Sequence, residues 1–220
     1  MFANQWVRLA ENKYNRLLIV LSLLFVSVGL PERYDLAKAI GYILCLGTML
    51  LIVQQIKPQR QLLQFYLVLV ITSVFLIVLK LSDLLPLKSS LFQIGGNLEL
   101  LLILGIPILL IQRETFLARS VTSDTLKGGI AAYLLLGLLW GIVYDLIYSF
   151  DPAAFGGVAL EQNQGDLLHF SFTTLTTLGY GDIHPISGIA RVAADLEAVV
   201  GVLYPSILIA RLVSLYETSQ

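Results

Sequence analysis

Charge is scarce in this chain of 220 residues: Asp, Glu, Lys and Arg make up 13% of it, against 57% apolar residues. Soluble domains usually carry about 25% charge. A soluble fold of this length has too little interior for so much apolar surface, so the composition fits a chain dissolved in a bilayer. No sign of charge predominates either. The net charge of −1 leaves no basic footprint for nucleic acid, which is excluded as a partner. Cysteine is nearly missing. Cys45 stands alone in an apolar run, so it makes no intrachain disulfide and reads as packing, not as a reactive thiol. Histidine is limited to His169 and His184, and no third ligand is spaced to join them at a metal. No cleavable leader is expected: the apolar stretch 17–30 ends Ser27-Val28-Gly29-Leu30-Pro31 without a convincing small-x-small cleavage site, and it reads as a retained span.

What the chain does have is long apolar runs. Spans are expected at about Arg16–Leu30, Leu36–Ile56, Leu62–Leu81, Phe92–Ile111, Leu126–Tyr148 and Gly188–Tyr216. The stretch Asp166–Thr177 is different. About twelve residues rise roughly 18 Å as a helix, well short of a hydrocarbon core of about 30 Å. A helix that stops midway must re-enter, and it needs protein or water around its end. The expected class is therefore an all-α membrane protein with six transmembrane helices and a re-entrant helix between the fifth and sixth. Arg8, Lys13, Arg16, Lys57, Arg60, Arg113, Arg119, Lys127 and Arg211 fall on the side of the N-terminus. Arg33, Lys38, Lys80, Lys88 and Arg191 fall on the other. This bias predicts a multi-pass protein of the cell membrane with both termini cytoplasmic. Residues 1–15, with Phe2, Trp6 and Leu9 beside Arg8 and Lys13, read as an interfacial amphipathic segment resting on membrane lipid. Residues 16–112 form a four-helix peripheral domain, 113–125 a linker and 126–216 the last domain. The loop Ser149–Gly165 is expected to be an irregular extracellular turret, with Asp151-Pro152 and Gly156-Gly157 as turn chemistry.

The string from Phe170 to Asp182, ending Thr176-Thr177-Leu178-Gly179-Tyr180-Gly181-Asp182, resembles the pore signature of the tetrameric potassium-channel superfamily. That signature reads Thr-Val/Ile/Leu-Gly-Tyr/Phe-Gly-Asp. Every position matches, with Leu178 the less common choice. The similarity covers about Leu126–Tyr216. It implies a pore domain made of outer helix, turret, pore helix, selectivity filter and inner helix, assembled as a homotetramer. Potassium would pass through rings of backbone carbonyls that replace its hydration shell, with K+ held at Thr177, Leu178, Gly179 and Tyr180. Gly179 and Gly181 supply backbone angles that a Cβ disfavours. Leu178 and Tyr180 are expected to turn away from the axis and brace the ring against the pore helix.

Support for the filter is expected from Thr176, His169, Asp182 and Glu197. His169 stands where relatives often carry a tryptophan that pairs with the aspartate. A His169–Asp182 pair would make the outer mouth responsive to external pH in the range where imidazole titrates. His184 is a second candidate for that role. Glu197 is a carboxylate in an apolar helix, a kind of residue that is paired or functional. It would either brace the back of the filter or lie near the outer interface with Arg191 and Asp195. Gly201 falls where the family places its inner-helix hinge, with close helix packing as the alternative. Pro205 follows one turn on, and a kink is expected there. Ile209 and Val213 are possible constrictions of an inner gate.

Six spans with the pore last resembles a voltage-gated layout, but the fourth span, Ser90–Ile111, has no basic residue. Each gating charge moved contributes about 2.3 kcal/mol per 100 mV, so steep voltage gating is not expected. A transporter would need paired broken helices in two related halves. An enzyme would need a catalytic constellation that the intramembrane residues Asn97, Glu99, Asp195, Glu197 and His169 do not form. No cofactor is expected beyond the permeant ion. Within the channel class, the alternative is a non-selective monovalent cation channel.

Overall fold

A computed structural model of the chain describes residues 13–28, 35–56, 58–81, 90–118, 120–157 and 165–217. The described residues hold seven α-helices: α1 (Lys13–Val28), α2 (Asp35–Ile56), α3 (Arg60–Leu81), α4 (Ser90–Phe116), α5 (Ser123–Phe150), α6 (Asp166–Leu175) and α7 (Gly188–Glu217). In hydrocarbon a backbone must satisfy its own polar groups, and helices do so within one segment. Five of these helices are long and apolar enough to cross a membrane: α2, α3, α4, α5 and α7. The apolar part of α1, Tyr14–Ser27, is shorter. Most of the amphipathic segment expected at 1–15 lies outside the described residues, and only Lys13–Asn15 appear, as the start of α1.

Local chemistry sets several helix ends. Pro58 follows the end of α2 closely, and its missing N–H cannot extend a helical ladder. At the start of α5 the amide of Thr125 donates to Thr122 Oγ1 (3.1 Å) and the amide of Thr122 donates to Thr125 Oγ1 (3.3 Å). This reciprocal pair satisfies amides that have no partner inside the helix. After α5, Asp151 accepts from the Ala153 amide (3.0 Å) and caps a single 3-10 turn, Pro152–Ala154.

The chain divides into two compact units, one of Met1–Leu85, Gly105–Ala132 and Ser214–Gln220, the other of Pro86–Leu104 and Tyr133–Val213. In the first, Tyr14, Leu17, Leu21 and Leu24 recur every three to four residues and form the buried stripe of α1. Met49, Ile52 and Val53 of α2 are buried with them. The hydroxyl of Tyr14 donates to Glu114 Oε2 (2.9 Å), and the tyrosine ring packs where a Cβ on Gly128 would lie. Ile19, Leu23 and Val26 of α1 and Val68, Ile71 and Phe75 of α3 stay exposed, a surface suited to lipid tails.

The second unit has a tighter core. Tyr144, Phe155 and Phe170 meet edge to face, with ring centroids 4.9–5.6 Å apart. Such pairs contribute about 0.5–1.5 kcal/mol each beyond burial. Ala190, Ala193 and Ala194 bring α7 close against this cluster. The expected irregular turret is partly ordered: β1 (Phe155–Gly156) pairs antiparallel with β2 (His184–Pro185). The amides of Ile186 and Ser187 both donate to the Ala154 carbonyl (2.7 and 3.2 Å), tying the segment before α6 to the segment before α7. Turn residues alone did not reveal this ribbon, because its partner strand lies beyond α6.

Candidate functional site

The short helix α6 ends at Leu175, and the chain then runs to Asp182 without regular structure. Its backbone alternates in hand: φ is +58° at Thr177, +58° at Gly179 and +78° at Gly181, with Leu178 and Tyr180 between them on the negative side. Alternating hands collect successive N–H groups on one edge and successive carbonyls on the other. The amides of Leu178 (2.8 Å) and Gly179 (3.1 Å) both donate to the Thr173 carbonyl, and that of Thr177 donates to the Thr174 carbonyl (2.9 Å). The first three amides of the loop are therefore spent on α6, and the alternation of hand is what would gather its carbonyls on the opposite edge. Glycine tolerates positive φ, but β-branched Thr177 is strained there, as backbone at functional sites often is.

The side chains around this loop separate into outer and inner sets. The outer set stands at the N-terminal end of α6. His169 Nε2 lies 3.3 Å from Asp182 Oδ2, and its ring stacks on that of Tyr180 with centroids 5.9 Å apart. Asp166 is near both: burial raises its carboxyl from its ordinary value, His169 opposes the rise and Asp182 adds to it. His184 sits in the ribbon against Gly156 and does not join the His169–Asp182 pair. Thr176 turns its hydroxyl back to the Phe172 carbonyl (2.6 Å).

The inner set is buried where α5, α6 and α7 meet. Glu197 is fully buried and accepts from the Tyr144 hydroxyl, while Ser171 Oγ lies 2.6 Å from its other oxygen. Glu197 thus joins α7 to α5 and α6, while Arg191 reaches the Pro185 carbonyl at 3.4 Å. Tyr144, Ser171 and Gly137 escaped sequence reading because none is unusual alone. A buried carboxylate in an apolar helix was the signal that partners existed. One turn along α7, Gly201 lies against the Leu175 carbonyl so closely that a Cβ would collide with it. Tyr133 donates its hydroxyl to the same carbonyl (3.2 Å) and stacks on Tyr204. Gly137 and Gly141 of α5 receive Phe172 and Leu168 in the same manner. Gly201 is thus a site of close packing, and α7 continues as one helix through it and through Pro205. Ile209 and Val213, further along, are exposed in the single chain.

Residues 132–218 match a family whose description is "Ion channel". The matched region contains the alternating loop, α6 and both of the polar sets just described. The match indicates an ion channel, and the long apolar helices a multi-pass membrane protein. No curated protein and no solved structure matches the chain.

Proposed function

We propose that this chain is one subunit of a potassium-selective channel, with four copies placing the Thr177–Gly181 carbonyls around a common axis. The observation that carries the reading is the alternation of backbone hand at Thr177, Gly179 and Gly181, with the amides of Thr177, Leu178 and Gly179 spent on α6. Carbonyls gathered on one edge are what a dehydrated potassium ion requires, and one strand supplies only a quarter of a ring. Leu178 and Tyr180 are 57% and 67% exposed in the single chain, as are Val192, Leu196 and Val199 on one side of α7, surfaces that neighbouring copies would cover. Helix α6 ends at the base of the loop, where its partial negative charge favours a cation. The N- and C-termini are placed on the cytoplasmic side by the basic residues. The first four spans act as a peripheral domain without gating charge, since the only basic residue of α4 among those described is Arg113 in its last turn.

The deciding test is the reversal potential of the purified chain in planar bilayers under a potassium/sodium bi-ionic gradient, with external barium as blocker. Reversal near the potassium equilibrium potential, with block, is the expected result. Reversal near zero would transfer the reading to a non-selective cation channel of the same fold. The His169–Asp182 pair adds a second expectation, currents that change with external pH between about 5.5 and 8. Flat currents over that range would remove the pair from regulation and leave it structural.

A further inference from the structure

The buried contacts of Glu197 carry an inference about how the pore is held, and it rests on the channel reading above. Three oxygen-to-oxygen contacts form one chain: Tyr144 Oη to Glu197 Oε2, Glu197 Oε1 to Ser171 Oγ at 2.6 Å, and Ser171 Oγ to the Gly137 carbonyl at 2.8 Å. Each contact needs one hydrogen. Tyrosine brings one, serine one and a carbonyl none. With an ionised carboxylate the chain is one hydrogen short, and two acceptors face each other without a donor. If the third hydrogen sits on Glu197 Oε1, every contact is satisfied. Tyr144 then donates to Glu197, Glu197 donates to Ser171, and Ser171 donates to Gly137. The surroundings agree. Glu197 is 0% exposed, and among the described residues no Lys, Arg or His pairs with it. An ionised carboxylate without a cation is strongly disfavoured in such an interior.

We propose that Glu197 is a neutral carboxylic-acid bolt that joins α5, α6 and α7 behind the filter and sets how long the filter stays conductive. It is a positioning residue, not an ion ligand. The geometry shows why it would act on the filter. Glu197 and Gly201, one turn apart on α7, meet Ser171 and Leu175, one turn apart on α6. A shift of α7 therefore moves α6 at two points in register. Helix α6 in turn holds the loop through the Thr173 carbonyl, which accepts from Leu178 and Gly179.

The test uses the full chain reconstituted in bilayers for single-channel recording, and in vesicles for infrared spectroscopy. In Glu197→Gln the amide donates to Ser171 and accepts from Tyr144, reproducing the donor and acceptor of a neutral acid. Its conductive bursts should stay within about twofold of the parent. Ser171→Ala breaks the chain without a charge change or a large volume change. It should shorten bursts about tenfold or more, because both buried hydrogen bonds of Ser171 are lost, with the potassium/sodium reversal potential unchanged. The parent should show a protonated-carboxyl stretch that Glu197→Gln lacks. The inference is overturned if Glu197→Gln is as impaired as Ser171→Ala, if that stretch is missing from the parent, or if Ser171→Ala leaves bursts unchanged. Failure of the channel reading looks different: the parent itself would carry no potassium current, whatever its infrared spectrum.

Discussion

Helices α3 and α7 both read as apolar spans, yet Thr72 of one and Glu197 of the other are used in opposite ways. In α3 the hydroxyl of Thr72 lies within reach of the Val68 and Leu69 carbonyls of its own helix (3.0 and 2.9 Å). Ile71, Phe75 and Val78 stand exposed around it. In α7, Glu197 engages hydroxyls on two other helices, and Gly201 admits the Leu175 carbonyl against its backbone. The same contrast runs through the two units. The first is held by apolar stripes and includes a cross-helix hydrogen bond from Tyr14 to Glu114. The second concentrates close glycine contacts and positive φ, and sets a buried carboxylate between two hydroxyls. Apolar periodicity tells a helix to cross the bilayer. Geometry that another element must answer is what builds a site, and the ion-channel match covers 132–218, where that geometry is found.

The sharpest way to break this contrast is in the loop. Gly179→Ala or Gly181→Ala puts a Cβ at positive φ, at about 1–2 kcal/mol per residue in each copy. Potassium flux into vesicles should fall about a hundredfold or more, because the proposed ring repeats the strain in every subunit. Flux near the parent level would show that the loop's alternation is not needed. Next comes a matched pair of glycines. Gly201→Ala forces a Cβ into the Leu175 carbonyl and should cost about 1–3 kcal/mol. Gly47→Ala in α2 meets nothing within 4 Å and should be neutral or stabilise by up to about 1 kcal/mol. Thermal unfolding in detergent reads both, and equal effects would erase the difference between the units.

A smaller effect is expected at Asp166. Its carboxyl is raised by burial, so the ionised form weakens the fold above the ordinary carboxylate range. That loss is relieved as pH falls through the raised value. Asp166→Asn should therefore raise the unfolding midpoint slightly, by about a degree or less, at neutral pH and change nothing in acid. A rise that persists in acid would point to packing instead of charge. The smallest effect belongs to the lipid-exposed face of α3. Ile71→Leu and Phe75→Leu should leave stability within about 0.5 kcal/mol and the reversal potential unmoved. A change in either would give that face a role beyond contact with lipid.

Much of the fold was legible because a bilayer leaves little choice. A long apolar run has one way to satisfy its backbone, so α2 to α5 and α7 could be placed within a few residues. The short helix was legible for the opposite reason: Asp166–Leu175 is apolar but too short to cross. The juxtaposition of His169 with Asp182 was suggested by resemblance, and the structure brings the two side chains together. Less was legible where partners are distant in sequence. Gly201 offered both a hinge and a packing site, and nothing local shows that the Leu175 carbonyl lies against it. Ser171 lies inside the string that drew attention, but nothing in the string shows its hydroxyl set between Gly137 and Glu197. The β1–β2 ribbon joins residues on either side of α6, and two-residue strands leave no periodicity to read.

By itself, then, the sequence determined that this chain lives in a membrane, which segments are helices, and where the glycine-bearing loop lies. Those properties follow from local composition and from the hydrocarbon's demand that each segment satisfy its own backbone. Only the tertiary structure decided which buried oxygen shares a hydrogen with which. It also decided which glycine yields room to a carbonyl, and which edge of the loop is spent on α6. These depend on residues tens of positions apart meeting within a hydrogen-bond length, and no local pattern encodes such a meeting.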